Sequence, residues 1–202
     1  MPQQHYNPSK VHRTIFNLPN CLSMGRLLLI PLLYFIFSCY ESAEAIKFYS
    51  CLIFSLAMFT DFLDGYIARK TGQITFFGKV LDPMADKLMV TSALLLLMGQ
   101  NMVAVWLVII LIGRELVINA LRSIAMEQGM HISSSGLGKS KTMVQSFAIA
   151  FLLLGELTLL KKYNISASDL GLGLLYIATA LSILSAGEYF YLFAKNIKNT
   201  AA

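Results

Sequence analysis

Four aspartates form two pairs in the first half of a largely apolar chain. Asp61 and Asp64 are three residues apart, and Asp82 and Asp86 are four residues apart. Both spacings place the two carboxylates on one face of an α-helix. If the two helices are neighbours, the four carboxylates converge and repel one another, and a bound divalent cation removes that repulsion. Because all the ligands are oxygens, the pattern favours a hard ion such as Mg²⁺ or Mn²⁺.

The alternative interpretation is that the aspartates form structural ion pairs with nearby basic side chains. The candidate partners are Arg69, Lys70, Lys79 and Lys87. A charged side chain at membrane depth costs about 2.5–3.5 kcal/mol, so each aspartate needs a partner, a metal or water. For four carboxylates at helical spacing, a metal site is the better explanation.

Two glycines and an arginine accompany the aspartates. Gly65 directly follows Asp64, and Gly78 lies four residues before Asp82. Each glycine lets a ligand approach the backbone closely, although small residues also serve helix packing in membranes. Arg69 lies four residues after Gly65 and can offer a fork of hydrogen-bond donors to a diphosphate.

The composition indicates that membrane helices position these residues. Of the 202 residues, 56% are hydrophobic and 13% are charged, whereas soluble domains carry about 25% charged residues. We expect one membrane domain over residues 1–202, with 1–19 as a cytoplasmic N-terminal segment and 20–195 as a six-helix domain. The net charge of +5 is attributed to cytoplasmic loops beside anionic lipid headgroups, not to nucleic-acid binding. No cleavable targeting segment is expected, so the cytoplasmic membrane of a bacterium is the expected location.

Six apolar runs predict an all-α integral membrane protein with six transmembrane helices. The runs are Cys21–Tyr40, Ala45–Ala68, Pro83–Gly99, Met102–Leu121, Met143–Leu160 and Leu170–Ala194. Each is long enough to cross about 30 Å of hydrocarbon as a helix, with some tilt or snorkelling. Helices are expected because the backbone must satisfy its own hydrogen bonds in lipid.

The basic residues predict the orientation of the runs. One set of connections carries ten Lys and Arg residues and the alternate set carries three. The positive-inside rule therefore places both termini and the loops 69–82 and 122–142 in the cytoplasm. Residues 11–18 could form a short amphipathic helix on the membrane surface.

The segment from Asp61 to Asp86 resembles the signature of the CDP-alcohol phosphotransferase family. It fits the pattern DxxDGxxARx(8)GxxxDxxxD at all eight fixed positions. The resemblance implies a six-helix membrane domain, commonly a homodimer, with a two-metal site that opens to the cytoplasm. It assigns the metal ligands to Asp61, Asp64, Asp82 and Asp86. It assigns the CDP-binding positions to Asp61, Gly65, Arg69 and Gly78.

The same resemblance implies a reaction. The metals, Mg²⁺ or Mn²⁺, would bridge the diphosphate of a CDP-activated lipid and stabilise the charge on the leaving CMP. Asp86 would act as the catalytic base and take the proton from the acceptor hydroxyl. The acceptor oxygen would then attack the phosphorus that carries the diacylglycerol.

A second group of segments predicts the acceptor. The residues Gly113-Arg114-Glu115 and Gly138-Lys139-Ser140-Lys141-Thr142 resemble segments of family members whose acceptor is glycerol 3-phosphate. That reaction would turn CDP-diacylglycerol into phosphatidylglycerophosphate. A phosphorylated acceptor needs cationic donors, and the candidates are Arg114, Arg122, Lys139 and Lys141. The alternatives are that Arg114 pairs with Glu115 or another acid, and that the two lysines are ordinary cytoplasmic charges.

Rival functions remain open from the sequence. The same chemistry could use another alcohol, such as inositol phosphate, serine or phosphatidylglycerol. A cation channel or transporter could use the aspartates as an ion site, but it would leave Gly65, Arg69 and Gly78 unexplained.

Overall fold

Six α-helices and no strands make up the described part of the chain in the computed structural model. The backbone is described for residues 18–39, 44–71, 76–128, 136–155 and 166–200, and side chains for 23–37, 45–60, 84–128, 138, 140–155 and 166–197. The helices are α1 (Leu18–Cys39), α2 (Glu44–Thr71), α3 (Phe76–Gly99), α4 (Val105–Glu127), α5 (Gly136–Leu154) and α6 (Ala167–Thr200). Within these ranges the predicted all-α class and the six predicted helices are confirmed.

Most of the helices extend beyond the apolar runs that predicted them, but α4 begins at Val105, three residues after the start of its run, and α5 ends at Leu154, six residues before the end of its run. Helix α3 begins seven residues before its predicted run, at Phe76, and α5 begins seven residues before its run, at Gly136. Since α2 continues to Thr71 and α4 continues to Glu127, the predicted loops 69–82 and 122–142 are wrong in extent. Hydropathy marks where side chains become polar, but an α-helix satisfies its own backbone and continues past that point. The predicted surface helix falls largely outside the described residues, at 11–17.

One described stretch, Ala167–Ile197 in α6, is long and apolar enough to cross a membrane. Shorter apolar stretches occur at Ser23–Phe37, Ala45–Thr60 and Ser140–Leu154. Helix α6 has 34 residues and is about 50 Å long at about 1.5 Å per residue. That all six helices cross a membrane therefore stays a prediction.

A shared apolar core holds the helices together. Helix α1 packs against α2 and α3, α4 packs against α6, and α5 packs along α6 and also contacts α2 and α3. Fully buried side chains come from every helix. They include Leu33, Phe54, Met89, Leu94, Leu97, Leu107, Leu111, Ile149, Leu152 and Leu175. Because α3, α4 and α5 contribute to one core, their facing polar side chains have fixed relative positions.

The turn after α3 is tight, and α4 begins only a few residues later. Asn101 adopts the left-handed conformation with φ of 57°. Its N–H donates to the carbonyl of Met98 at 3.0 Å, and the N–H of Met102 donates to the carbonyl of Leu97 at 3.0 Å. This pair of hydrogen bonds is the Schellman motif, which satisfies the last carbonyls of a helix. The turn fixes the start of α4 relative to the end of α3.

Helices α5 and α6 approach closely at Gly171. A Cβ atom at this position would lie 2.9 Å from the backbone nitrogen of Leu152 and 3.0 Å from the carbonyl oxygen of Ala148. Backbone atoms cannot move aside cheaply, so Gly171→Ala should separate the two helices. We expect a loss of about 1–3 kcal/mol of stability, measured as a lower Tm in detergent.

Gly173 provides the matched control for this prediction. It lies two residues further along α6, and a Cβ atom there would meet nothing within 4 Å. Gly173→Ala should therefore keep or slightly raise the Tm, because alanine favours the helical backbone. Equal Tm values for the two alanine variants would contradict the close packing at Gly171.

Candidate active site

A cavity of about 80 Å³ lies between α3, α4 and α5. The described lining residues are Asp86, Lys87, Val90, Thr91 and Leu94 from α3, Leu111, Ile112 and Glu115 from α4, and Lys141, Thr142 and Gln145 from α5. On each helix the positions i, i+1 and i+4 occur, which is the spacing of a single helix face. The buried side chains of Leu94 and Leu111 give the cavity an apolar part. Its charged part combines two carboxylates with two ammonium groups.

Lys141 brings a charged group into the interior beside this cavity. Its residue is only 3% exposed, and burying an unpaired ammonium is costly. The Nζ atom donates to Oε2 of Glu115 across the α4–α5 contact, at 2.8 Å. This ion pair explains how the first turns of α5 can carry a lysine on an inward-facing position.

Arg114 shares the same carboxylate and connects α4 to α6. Its Nη1 lies 3.3 Å from Oε2 of Glu115. Its Nε donates to the carbonyl of Ser182 at 3.2 Å, and its Nη2 donates to Oγ of Ser185 at 2.6 Å. The guanidinium is therefore held on three sides, by its own helix neighbour and by two groups of α6.

The two aspartate pairs lie on two helices that contact each other. Asp61 and Asp64 lie in α2, Asp82 and Asp86 lie in α3, and these two helices are in contact. Asp86 is partly buried and lines the cavity. The side chains of the other three aspartates lie outside the described residues, so their convergence stays a prediction.

For the predicted CDP-binding positions, too, the structure describes the backbone and not the side chains. Gly65 and Arg69 lie in α2 and Gly78 lies in α3, and their side-chain surroundings fall outside the described residues. No cluster of three or more potential metal-binding side chains occurs among the residues with described side chains, and that set contains Asp86 alone of the four aspartates.

The four predicted acceptor-phosphate residues occupy different positions. Lys141 lines the cavity, whereas Arg114 lies behind it and bonds to α6. Arg122 is exposed and lies about 10 Å further along α4 from Glu115, by the helical rise. Lys139 lies in the first turn of α5, and its side chain is outside the described set.

Sequence reasoning did not place five polar residues of the cavity in the site, although it named Lys87 and Glu115 as possible ion-pair partners. The five are Lys87, Thr91, Glu115, Thr142 and Gln145. A signal for two of them was present in the sequence. Gln145 lies four residues after Lys141, on the same helix face within an apolar helix, and Glu115 completes the Gly-Arg-Glu segment.

Comparison with known proteins identifies the class to which this fold and site belong. The chain belongs to the CDP-alcohol phosphatidyltransferase family, whose model matches residues 16–184. This match confirms the resemblance that was read from the segment Asp61–Asp86.

Individual relatives identify the branch of the family. The chain is 41% identical to the CDP-diacylglycerol–glycerol-3-phosphate 3-phosphatidyltransferase of Haemophilus influenzae over 179 residues. This alignment covers 86% of this chain and 91% of the relative. It is 35% identical to the enzyme of the same name from Bacillus subtilis over 186 residues, and this alignment covers 87% of this chain and 94% of the relative. A relative of that name from Rickettsia bellii is 38% identical over 175 residues, or 86% of this chain and 93% of its own length. These names confirm the resemblance to the glycerol 3-phosphate branch, the phosphatidylglycerophosphate synthases.

Proposed function

We propose that this protein transfers a phosphatidyl group from CDP-diacylglycerol to glycerol 3-phosphate and releases phosphatidylglycerophosphate and CMP. The relatives are named for this pair of substrates. The observation that carries the proposal is the cavity between α3, α4 and α5. It combines Asp86, the last aspartate of the family motif, with the buried ammonium of Lys141. A hydroxyl to be deprotonated and a phosphate to be bound are both present in glycerol 3-phosphate.

The donor set of α2 and α3 suits two hard divalent cations. Carboxylates at i, i+3 and at i, i+4 on two contacting helices are oxygen ligands of the kind that Mg²⁺ and Mn²⁺ prefer. The proposed ligands are Asp61, Asp64, Asp82 and Asp86. When bound, the cations would neutralise the diphosphate and stabilise the negative charge on departing CMP.

Asp86 is proposed as the general base. Its carboxylate lies on the cavity wall, where it can accept the proton of the acceptor hydroxyl. The deprotonated oxygen forms a bond to the phosphorus that carries diacylglycerol, and the bond from that phosphorus to CMP breaks. The nucleotide would contact Asp61, Gly65, Arg69 and Gly78.

The size of the cavity indicates that the two substrates bind in different places. On a scale where one water needs about 10–15 Å³, the cavity of about 80 Å³ holds a few water-sized groups. This space can take the phosphate end of a small polar acceptor, but it cannot enclose a nucleotide with two acyl chains. The CDP-lipid should therefore bind outside the cavity, on the side of α2 and α3 that carries the rest of the motif.

The acceptor phosphate is proposed to meet the basic residues of α4 and α5. Lys141 contributes from the cavity wall, and Arg114, Arg122 and Lys139 complete the predicted set. Lys139 lies in the first turn of α5, where free backbone N–H groups also favour a phosphate.

We also propose that the protein spans the cytoplasmic membrane of a bacterium several times, as a homodimer among membrane lipids, with its active site on the cytoplasmic side. Large apolar side chains face outward on more than one helix. Leu28 and Phe35 of α1 are 73% and 65% exposed, and Ile109 and Leu116 of α4 are 64% and 65% exposed. Outward apolar faces of this kind suit contact with lipid or with a second subunit.

The proposed function is tested by measuring CMP release with a panel of alcohols. Purified protein in detergent is supplied with CDP-diacylglycerol and Mg²⁺ or Mn²⁺, and then with glycerol 3-phosphate, inositol phosphate, serine or phosphatidylglycerol. Glycerol 3-phosphate should support turnover and yield phosphatidylglycerophosphate. Turnover that requires one of the other alcohols would assign a different acceptor, and ion flux without any CDP-lipid reaction would indicate a channel.

Replacing Lys141 with Met should weaken acceptor binding. Methionine keeps most of the side-chain volume but removes the charge, and a charge-assisted hydrogen bond contributes about 1.5–3 kcal/mol. We expect the KM for glycerol 3-phosphate to rise at least tenfold, while the KM for CDP-diacylglycerol changes little. Lys195→Met is the matched control, because Lys195 is exposed on α6 and does not line the cavity. Equal acceptor KM values in the two variants would remove Lys141 from the proposed phosphate site.

A further inference from the structure

One carboxylate oxygen at the cavity wall links α4 to α5, and through Arg114 it is also linked to α6. Oε2 of Glu115 accepts from Nζ of Lys141 in α5 at 2.8 Å and lies 3.3 Å from Nη1 of Arg114. The same guanidinium bonds to the backbone carbonyl of Ser182 and to the hydroxyl of Ser185 in α6. A continuous chain of polar contacts therefore runs from α5 through α4 to α6.

We propose that Glu115 is a positioning residue, which holds the ammonium of Lys141 in the direction needed to bind the phosphate of the acceptor. This inference rests on the proposed function. Glu115 is not assigned to a chemical step, and it acts through Lys141.

The properties of lysine make such a partner necessary. An ammonium group ends a flexible four-carbon chain and has three N–H donors with no preferred plane. One donor is directed at Glu115, which leaves two for an anion in the cavity. Without the carboxylate, the ammonium could take several positions. Binding of the acceptor would then have to fix it in one of them.

Arg114 holds the carboxylate from the other side. Its Nε and Nη2 are bonded to α6, so the guanidinium cannot follow the glutamate freely. Ser185 is itself fixed, because its Oγ donates to the carbonyl of Ser182 at 3.1 Å. These contacts fix the position of Lys141 relative to α4 and α6 as well as to its own helix, α5.

A purely structural role explains the position of the Glu115–Lys141 ion pair poorly. Buried ion pairs often contribute little net stability, because both charges lose their hydration. Here the lysine is nearly inaccessible while the side chain of Glu115 is 35% exposed. Both residues line the cavity, so the pair contributes charge to the wall of the proposed acceptor site.

The first test is the variant Glu115→Gln, which keeps the size and one oxygen acceptor but removes the charge. A positioning role predicts a rise of about tenfold in the KM for glycerol 3-phosphate, of the size seen for one charge-assisted contact. Both kcat and the KM for CDP-diacylglycerol should stay within about threefold of the parent protein, since the chemical step is untouched. Glu127→Gln is the control, because Glu127 is an exposed acid at the end of the same helix.

The decisive test is a double-mutant cycle with Lys141→Met. If Glu115 acts through Lys141, Glu115→Gln should raise the acceptor KM by less than about twofold in the Lys141→Met protein, because the two effects are coupled. A second full tenfold rise in the double variant would overturn the inference. So would a single variant whose acceptor KM is unchanged, or one in which kcat and both KM values worsen together.

Two further results keep the inference separate from folding and from the proposed function. Each variant is checked for a single symmetric peak in detergent and for its Tm, and Glu115→Leu, which also removes the charge, replaces Glu115→Gln in the cycle if the latter aggregates. Failure of the parent protein to use glycerol 3-phosphate would overturn the proposed function and the inference with it. Normal use of glycerol 3-phosphate by the parent, with an unchanged KM in the glutamate variant, would overturn the inference alone.

Discussion

Replacing Asp86 with Asn should lower kcat by about 10²–10⁴-fold, the usual contribution of a positioned general base. The change keeps the shape of the side chain but removes its negative charge and most of its basicity. It should therefore prevent proton removal from the acceptor hydroxyl and also weaken the proposed metal site. The measurement is CMP release by purified protein at saturating CDP-diacylglycerol, glycerol 3-phosphate and Mg²⁺.

The Asp86 prediction needs a control for charge removal elsewhere. Glu188 is an exposed acid of α6 that does not line the cavity, so Glu188→Gln should retain the parent kcat. Both variants should be recovered in the membrane fraction in normal amounts. An Asp86→Asn protein that keeps more than about a tenth of the parent kcat would exclude this residue as the general base.

Removing divalent cations should abolish turnover. If the four aspartates of α2 and α3 hold the ions that neutralise the diphosphate, an excess of EDTA leaves carboxylates facing a substrate of the same charge. Activity should return when Mg²⁺ or Mn²⁺ is added in excess over the chelator. The measurement is the initial rate of CMP release before and after each addition.

The matched control for chelation is EDTA that has been saturated with Mg²⁺ beforehand. It adds the same chelator at the same concentration, but it has no free binding capacity and supplies Mg²⁺ for any ion that it exchanges. Full activity with this control and none with free EDTA would support the metal site. Undiminished turnover in free EDTA, after prolonged dialysis, would show that the reaction does not depend on the proposed ions.

The helices were predictable because their apolar character is strong and repeated. Five of the six observed helices begin or end within four residues of a boundary set by hydropathy, as at the common end of run and helix at Gly99. Several errors occur where polar residues interrupt the apolar pattern while the helix continues, as at Gly78, Lys79 and Asp82 in α3. Hydropathy cannot detect such residues, because their helical state depends on backbone hydrogen bonds and not on the polarity of the side chains.

The site was predictable where spacing along one helix carries the information. The aspartates and Gln145 can be read in this way, since residues three and four apart share a helix face. The contact of Glu115 with Lys141 joins positions 26 residues apart, and the contact of Arg114 with Ser185 joins positions 71 residues apart. Such pairs depend on how α4, α5 and α6 pack, and nothing in the local sequence specifies that packing.

The length of α6 has a consequence for the proposed membrane protein. A helix of about 50 Å exceeds a hydrocarbon layer of about 30 Å, and the tilt that would hide it entirely is larger than the usual limit of about 40°. Several turns at one or both ends would therefore lie in the headgroup layer or in water. Under the proposed topology, with the C-terminus in the cytoplasm, the C-terminal turns that carry Lys195 would form a rigid post. A tag joined after this post would be held away from the lipid surface, so it could be added without disturbing the buried helices.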